Sequence, residues 1–425
     1  MLGFLGSFPI VPKLFSSLFI ALSFLIIVST RNKNDEALIL TSYLVGSEVF
    51  WRMTKGLFLY ETGKYGATFL LLIGIYFVGI KQKINPLFFF YLLLLIFGIV
   101  FTQVPPNESI RNAISFNLSG PVTLGLFAIY MNLKPIEKSK LYSILFVMLL
   151  PVFSMVSYMY FRTPDLKEIV FGGVANFQTS GGYGPNQVAT ILGFGIFVLG
   201  VFILLKKKIT GFLILDYAFL IYFIYRGLLT FSRGGILTGA ISLIIFSIFI
   251  IISQKNSLKL FFKYITITVV ALIGIWIYTS DITGGMLNNR YTGKNAKGKS
   301  KDITSGRSEI FKMQLESFYE APFLGIGVGN GKYKRAASGK NVTAASHNEV
   351  SRLIEEHGSI GILILVILIS VPIAHFYQSN NFQRAFTIAF LLFWFLTINH
   401  SAMRIAFPGF IYALGLIRII DDRNE

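Results

Sequence analysis

The sequence predicts an all-α, polytopic membrane protein of about 12 (12–13) transmembrane helices with one large periplasmic loop carrying short amphipathic helices. Three observations predict it. The 425 residues are 54% hydrophobic and 14% charged, which leaves too little polar surface to cover a soluble globule. Apolar runs of about 17–25 residues recur along the chain and match a hydrocarbon core roughly 30 Å thick. They are continuous and do not alternate, so the backbone is satisfied inside helices and not in a β-barrel. Basic residues also concentrate in alternate short loops, as in a multi-pass protein with a cytoplasmic and an outer face.

In order, the expected spans are 14–30, 36–51, 65–80, 86–102, 110–131, 141–160, 186–205, 211–230, 234–253, 261–279, 359–376, 384–399 and 405–420. The N-terminus lacks a basic stretch and a small-residue cleavage site, so Leu14–Val28 reads as a retained span. Loops containing Lys81/Lys83, Lys134/Lys138/Lys140, Lys206–Lys208, Lys255/Lys259/Lys263 and Arg384 read as cytoplasmic, and 52–64, 103–110, 161–185, 230–234, 280–357 and 400–404 as outer. Thirteen spans place the N-terminus outside, and twelve with one early interfacial segment place it inside. The organisation is one integrated membrane domain: a first helical bundle (1–279), the large loop (280–357) and C-terminal spans (358–425).

The net charge is +18 with 38 Lys and Arg against 20 Asp and Glu. Scattered over short loops, this excess is positive-inside topology and not a nucleic-acid surface. The chain has no cysteine, so disulfides, thiolate nucleophiles and Cys-based metal sites are excluded. Residues 280–357 are also basic although they lie outside, which suits either contact with anionic headgroups or an anionic, lipid-linked ligand. Within them, 293–302 (GKNAKGKSKD) reads as disordered. Phe311, Leu315 and Phe318 share one face of a helix that Pro322 ends.

The segment SHNEVSRLIEEHGSIG (346–361) opens with a capping-box pattern, Ser346 with Glu349. His347 then falls in a first helical turn, where the helix dipole disfavours its protonated form. It suits either a cap or a neutral imidazole acting as general base on a hydroxyl. His357 shares an apolar face with Val350, Leu353 and Ile354 and reads as a packing residue; the ten-residue spacing of the two histidines is no zinc motif, and no metal is expected. Arg233 in TFSRGG (230–235) either snorkels or binds an anion, with two following glycines allowing close approach of backbone or ligand. Arg307 stands at the start of the amphipathic helix, where amides and a guanidinium together make a phosphate-sized site. Asn186 and Gln187 follow GVANFQTSGGYGP into a span and suit sugar or phosphate contacts. GIGVGN (325–330) looks like a glycine cradle but no strand precedes it. Glu48, Arg52, Glu61 and Lys64 surround an early outer loop and are expected to pair or face a cavity.

GPNQVA (184–189), TFSRGG, SGRSEIF (305–311), APFLGIGVGN (321–330) and SHNEVSRLIEEHGSIG, in this order, resemble the O-antigen ligase/polymerase family of bacterial membrane glycosyltransferases. The resemblance covers residues 170–375 and implies an inner-membrane enzyme with its site facing the periplasm. It implies transfer, with inversion, of a glycan from undecaprenyl diphosphate to an acceptor hydroxyl on lipid A–core or on another lipid-linked repeat, without metal, nucleotide or other cofactor. It assigns His347 as base and Arg233 and Arg307 to the donor diphosphate; Glu349 is a further catalytic candidate, Arg352 a further diphosphate candidate, and Asn186, Gln187, Ser232 and Asn348 candidate substrate contacts. Ligase is favoured over polymerase. A lipid-linked saccharide transporter is the rival class; it calls for mid-membrane charges and an internal repeat, and no repeat is visible.

Overall fold

A computed structural model describes the chain except residues 1, 173, 254–257, 296, 301, 303, 305, 339–345 and 423–425, and except the side chains of 253, 258–265, 267–269 and 271. The elements are α1 (Leu2–Leu5), α2 (Ile10–Thr30), α3 (Glu36–Met53), α4 (Thr62–Val78), α5 (Pro86–Val100), α6 (Ile110–Met131), β1 (Pro135–Glu137), α7 (Lys138–Arg162), α8 (Pro185–Leu204), α9 (Leu213–Leu229) and α10 (Arg233–Ser253). There follow α11 (Leu258–Ile282), α12 (Met286–Tyr291), α13 (Arg307–Glu320), α14 (Gly331–Ala337), α15 (Glu349–His357), α16 (Ser359–Tyr377), α17 (Asn381–His400), α18 (Phe407–Leu414) and β2 (Arg418–Ile420). Among the described residues, seven helices are long and apolar enough to cross a membrane: α2, α6, α7, α8, α10, α16 and α17. The runs in α4 and α5 are apolar but shorter, and in α11 the apolar run Leu272–Ile282 is the part whose side chains are described throughout.

Contacts sort the chain into two ends. At one, Lys134 and Lys140 pair with Asp35 at 2.9 Å each, Gln82 donates to the Tyr130 carbonyl, and Ser139 to Asp422. These are loops expected on the cytoplasmic side; Lys255 and the side chains of Lys259 and Lys263, from another such loop, lie outside the described residues. The opposite end collects 52–61, 102–119, 176–187, 226–235, 400–406 and the described residues of 280–357. Phe4 of α1 meets Phe161 at the C-terminus of α7 edge to face, so α1 lies at this second end.

The expected span 405–420 is corrected. It is an eight-residue helix, α18, buried at every position, followed by β2, which pairs in parallel with β1 (Ile136 opposite Ile419). Eight residues rise only about 12 Å. The segment starts beside Gly120, halfway along α6, where a Cβ would collide with the Met403 carbonyl, and it ends where Leu133 N donates to Leu416 O. An apolar run reads the same whether lipid or protein covers it, and here protein does. Within 293–302, expected to be disordered, Lys294 and Ser300 form an antiparallel bridge and the Asn295 side chain accepts from Lys297 N and Lys299 N; residues 296 and 301 lie outside the described residues.

The core draws on part of the chain's 43 Phe, in edge-to-face contacts. Phe194, Phe197, Phe246, Phe386, Phe393 and Phe407 join α8, α10, α17 and α18 with ring centroids 4.8–6.2 Å apart. Where α8 crosses α10 the spacing is set by glycine: a Cβ on Gly239 would run into the Gly193 carbonyl, and one on Gly235 into the Ala189–Thr190 peptide. This is small-xxx-small packing, in which backbone contact supplies the attraction. Of the two partners open for the TFSRGG glycines, these take backbone and side chain, with Gly234 against His400. Gly239→Val is expected to cost about 1–3 kcal/mol by overpacking, read as a lower unfolding midpoint in detergent; an unchanged midpoint contradicts the contact.

Candidate active site at the outer end of the bundle

Four segments converge on a cavity of about 740 Å³. The start of α10 brings Ser232, Arg233 and Gly234; α12 brings Arg290; the first turns of α13 bring Arg307, Phe311 and Lys312; and the stretch before α15 brings Ser346, His347 and Asn348. Asn186 at the start of α8 closes one wall.

Local chemistry fixes each segment. Phe231 adopts a left-handed backbone (φ 56°), costly for a bulky residue. It is held by burial and by stacking on Phe171 at 5.2 Å. That turn presents the Phe231 carbonyl to Arg290 Nε at 3.0 Å, while Arg233 donates to the Arg290 carbonyl at 3.2 Å. Arg290 is thereby anchored on the Phe231 backbone and Arg233 on that of Arg290. Ser232 Oγ donates to Asn186 Oδ1 at 2.8 Å. Asp302 organises the turn before α13, accepting from Thr304 N and Gly306 N at 2.8 and 2.7 Å, so that Arg307 begins the helix at the cavity edge. Gln314 then ties α13 to α15: it accepts from Ser351 Oγ at 2.7 Å and donates to Glu355 at 2.9 Å, and Glu355 is paired with Arg335. The apolar stripe expected on α13 is not its buried face. Met313, Gln314 and Ser317 are buried, whereas Phe311 and Leu315 line the cavity.

The capping box is corrected. Asn348, not Ser346, caps α15 by accepting from Ser351 N at 3.1 Å, and Glu349 turns to Arg352 instead of reaching back. Ser346 makes its own turn, accepting from Asn348 N at 3.1 Å, and its carbonyl accepts from Arg404 at 2.9 Å. His347 therefore precedes the helix and the helix dipole is not what keeps it neutral. Burial and the nearby Arg404 and Arg307 guanidinium groups hold the imidazole down to about 4. Its Nδ1 is buried with no hydrogen-bond partner among the described residues.

Arg290 and Arg307 are both held below the usual guanidinium value, first by burial, then by neighbouring arginines: Arg233 and Arg307 for Arg290, Arg233 and Arg404 for Arg307. No carboxylate lines the cavity among the described residues. Guanidinium groups clustered on one cavity make a site for an anion with several oxygens.

The remaining expected residues lie elsewhere. Glu349 and Arg352 are buried, and Arg352 bridges Glu349 and Glu356. Arg352 also donates to the Asn117 carbonyl at 3.0 Å, which lacks its helical partner because Pro121 carries no N–H. Gln187 is buried and accepts from Tyr183 at 2.8 Å. His357 packs against Gly98, neither ring nitrogen having a partner among the described residues, and burial lowers it to about 3. The glycines of GIGVGN adopt positive φ and wrap α15, with Gly327 N on the Glu356 carbonyl at 3.1 Å and Gly329 N on its side chain at 2.9 Å; they cradle protein. The early charges pair: Arg52 with Glu48 at 2.6 Å and Lys64 with Glu61. Glu48 also accepts from Ala406 N at 2.7 Å and Arg52 donates to the Arg404 carbonyl at 3.3 Å, fixing the loop that delivers Arg404 to Ser346. Arg290, Arg404 and Gln314 were not picked out from sequence. The i, i+4 pair His400/Arg404 at the end of an apolar run was the available signal for Arg404.

The depressed His347 value has a stability consequence. The folded protein binds fewer protons than the unfolded chain between about pH 6.5 and 4, so this contribution is full above 6.5 and is lost as pH falls through about 4. The unfolding midpoint is expected to fall across that window, and less steeply in His347→Gln; equal slopes contradict it.

Residues 217–366 match the family model described as O-Antigen ligase. The matched segment runs from α9 into α16 and contains Arg233, Arg290, Arg307 and His347, while Asn186 and Arg404 lie outside it. No curated protein matches the chain. Over residues 217–366, about a third of its length, the chain is similar to the O-antigen ligase family.

Proposed function

We propose that the protein is a glycosyltransferase that moves a glycan from undecaprenyl diphosphate to an acceptor sugar hydroxyl at the outer, periplasmic face of a bacterial inner membrane. One observation carries this reading: a neutral histidine with a free buried nitrogen and three arginines face one cavity with no carboxylate in its described lining. The acceptor O–H gives its proton to His347 while its oxygen attacks the anomeric carbon. The bond from that carbon to the diphosphate oxygen breaks, its electron pair leaves on the diphosphate, and the configuration inverts. Arg233, Arg290 and Arg307 bear the growing negative charge, the part a metal would otherwise play. Phe311 and Leu315 at the cavity rim suit the first isoprene units of the lipid.

Arg352 and Glu349 take a supporting part in this reading: their buried pair holds α15, and through it Asn348 and His347. The acceptor is lipid A–core for a ligase, with a lipid-linked repeat as the alternative for a polymerase. Purified protein incubated with labelled lipid-linked glycan distinguishes them: label on lipid A–core supports the ligase, a ladder of repeats the polymerase, and no covalent product removes the enzyme reading in favour of transport. The acid limb of kcat/KM reports the free enzyme. It is expected near pH 4, not 6.5, and should rise in Arg404→Gln, which removes one of the charges depressing His347. A limb at 6.5 in the unmodified protein contradicts the base assignment.

A further inference from the structure

A second cavity, of about 450 Å³, adjoins the first, and Ser346 lines both. It is built on the other side of the Ser346–Asn348 stretch, by the start of α6, by α14 and by α15. Its volume lies within the roughly 300–1,000 Å³ of small-molecule sites. Its charge differs in kind from that of its neighbour. Lys332, Arg335 and Arg352 are balanced in the lining by Glu108, Glu355 and Glu356, and the two arginines are paired with carboxylates. Burial pushes the Glu356 carboxyl up to about 7, against the pull of Arg352. An anion gains little there. A neutral, hydroxyl-rich ring meets suitable partners: amides at Asn112 and Asn117, a phenol and carboxylate in contact (Tyr333 to Glu108, 3.0 Å), and the ring of Phe116. Amides donate to and accept from sugar hydroxyls, carboxylates accept from them, and aromatic faces cover the apolar C–H face of the ring.

We propose that this cavity is the acceptor subsite and holds an uncharged sugar whose hydroxyl reaches His347 past Ser346. The inference rests on the proposed transfer reaction and assigns its second substrate. The two cavities then divide the reactants by charge, diphosphate on one side of the histidine and neutral glycan on the other.

The chain has no cysteine, so Asn112→Cys carries a single thiol that can be alkylated with a bulky maleimide after folding. Transfer is measured with undecaprenyl-diphosphate glycan as donor, and with lipid A–core and a second lipid-linked repeat as acceptors in parallel. Inorganic pyrophosphate binding, read by thermal shift, reports the arginine cavity. The expected result is an acceptor KM raised at least tenfold on alkylation, with the pyrophosphate shift unchanged. Tyr333→Phe is expected to raise the acceptor KM several-fold in the same direction. An unchanged acceptor KM in the alkylated protein, or an equal loss of pyrophosphate binding, overturns the subsite while leaving the reaction intact. Failure of the unmodified protein to transfer to either acceptor removes the reaction and the subsite with it.

Discussion

His347→Ala is expected to lower kcat/KM for glycan transfer by about 10²–10⁴, the usual worth of a positioned general base, while leaving the protein folded. Activity falls because the described cavity lining offers no carboxylate and no second histidine to take the proton, and its guanidinium groups cannot accept one at neutral pH. The fold persists because the His347 side chain holds nothing together. Its Nδ1 has no partner among the described residues, and the surrounding backbone is fixed by Ser346, Asn348 and Arg404. Pyrophosphate binding should survive and even strengthen, since the site loses a buried group but no positive charge. His347→Gln separates base from hydrogen-bonding group, because the amide can orient a hydroxyl but cannot take its proton. Transfer at the unmodified rate in either variant would remove His347 from the chemistry, whatever its position in the cavity. Loss of folded protein in both would make it a structural residue.

Much of the fold was legible because lipid solvation writes itself into length and continuity. The expected span 186–205 is Pro185–Leu204, and 110–131 is Ile110–Met131. The lysine-rich loops gather at one end because charge asymmetry is a property of the sequence itself. What stayed hidden depends on which surface covers an apolar run. Residues 405–420 are as apolar as a span, yet they pack along half of α6 and end in a parallel strand pair. The site was half legible. Arg233, Arg307 and His347 stand beside glycines, a helix start and a polar segment, which are local signals. Arg290 and Arg404 carry none as strong: the first depends on the Phe231 turn, the second on a buried pair, Glu48–Arg52, hundreds of residues away in sequence. The Ser346/Glu349 spacing pointed to a capping box, but Arg352 and Met403 N compete for the Glu349 carboxylate and win.

Arg290→Ala and Arg307→Ala should each lower kcat/KM by about 10²–10³, the size of effect seen when one donor to a developing oxyanion is removed. They should act differently on binding. Arg307 makes no side-chain hydrogen bond to a described residue, so its guanidinium is available to the diphosphate, and its loss should raise donor KM as well as lower kcat. Arg290 also holds the Phe231 carbonyl, and Arg233 in turn reaches the Arg290 backbone, so Arg290→Ala should disturb Arg233 too. The double variant Arg233→Ala/Arg290→Ala is then expected to fall well short of the sum of its parts, since groups sharing one anchor are not additive. Arg307→Lys keeps the charge but loses the planar fork, and should recover binding more than rate. Raised salt should weaken pyrophosphate binding to the unmodified protein, and less steeply once an arginine is gone. If instead the acceptor KM rises while donor KM holds, the two cavities have been exchanged: the arginines would then serve the acceptor, and the diphosphate would have to lie among the paired charges on the far side of Ser346.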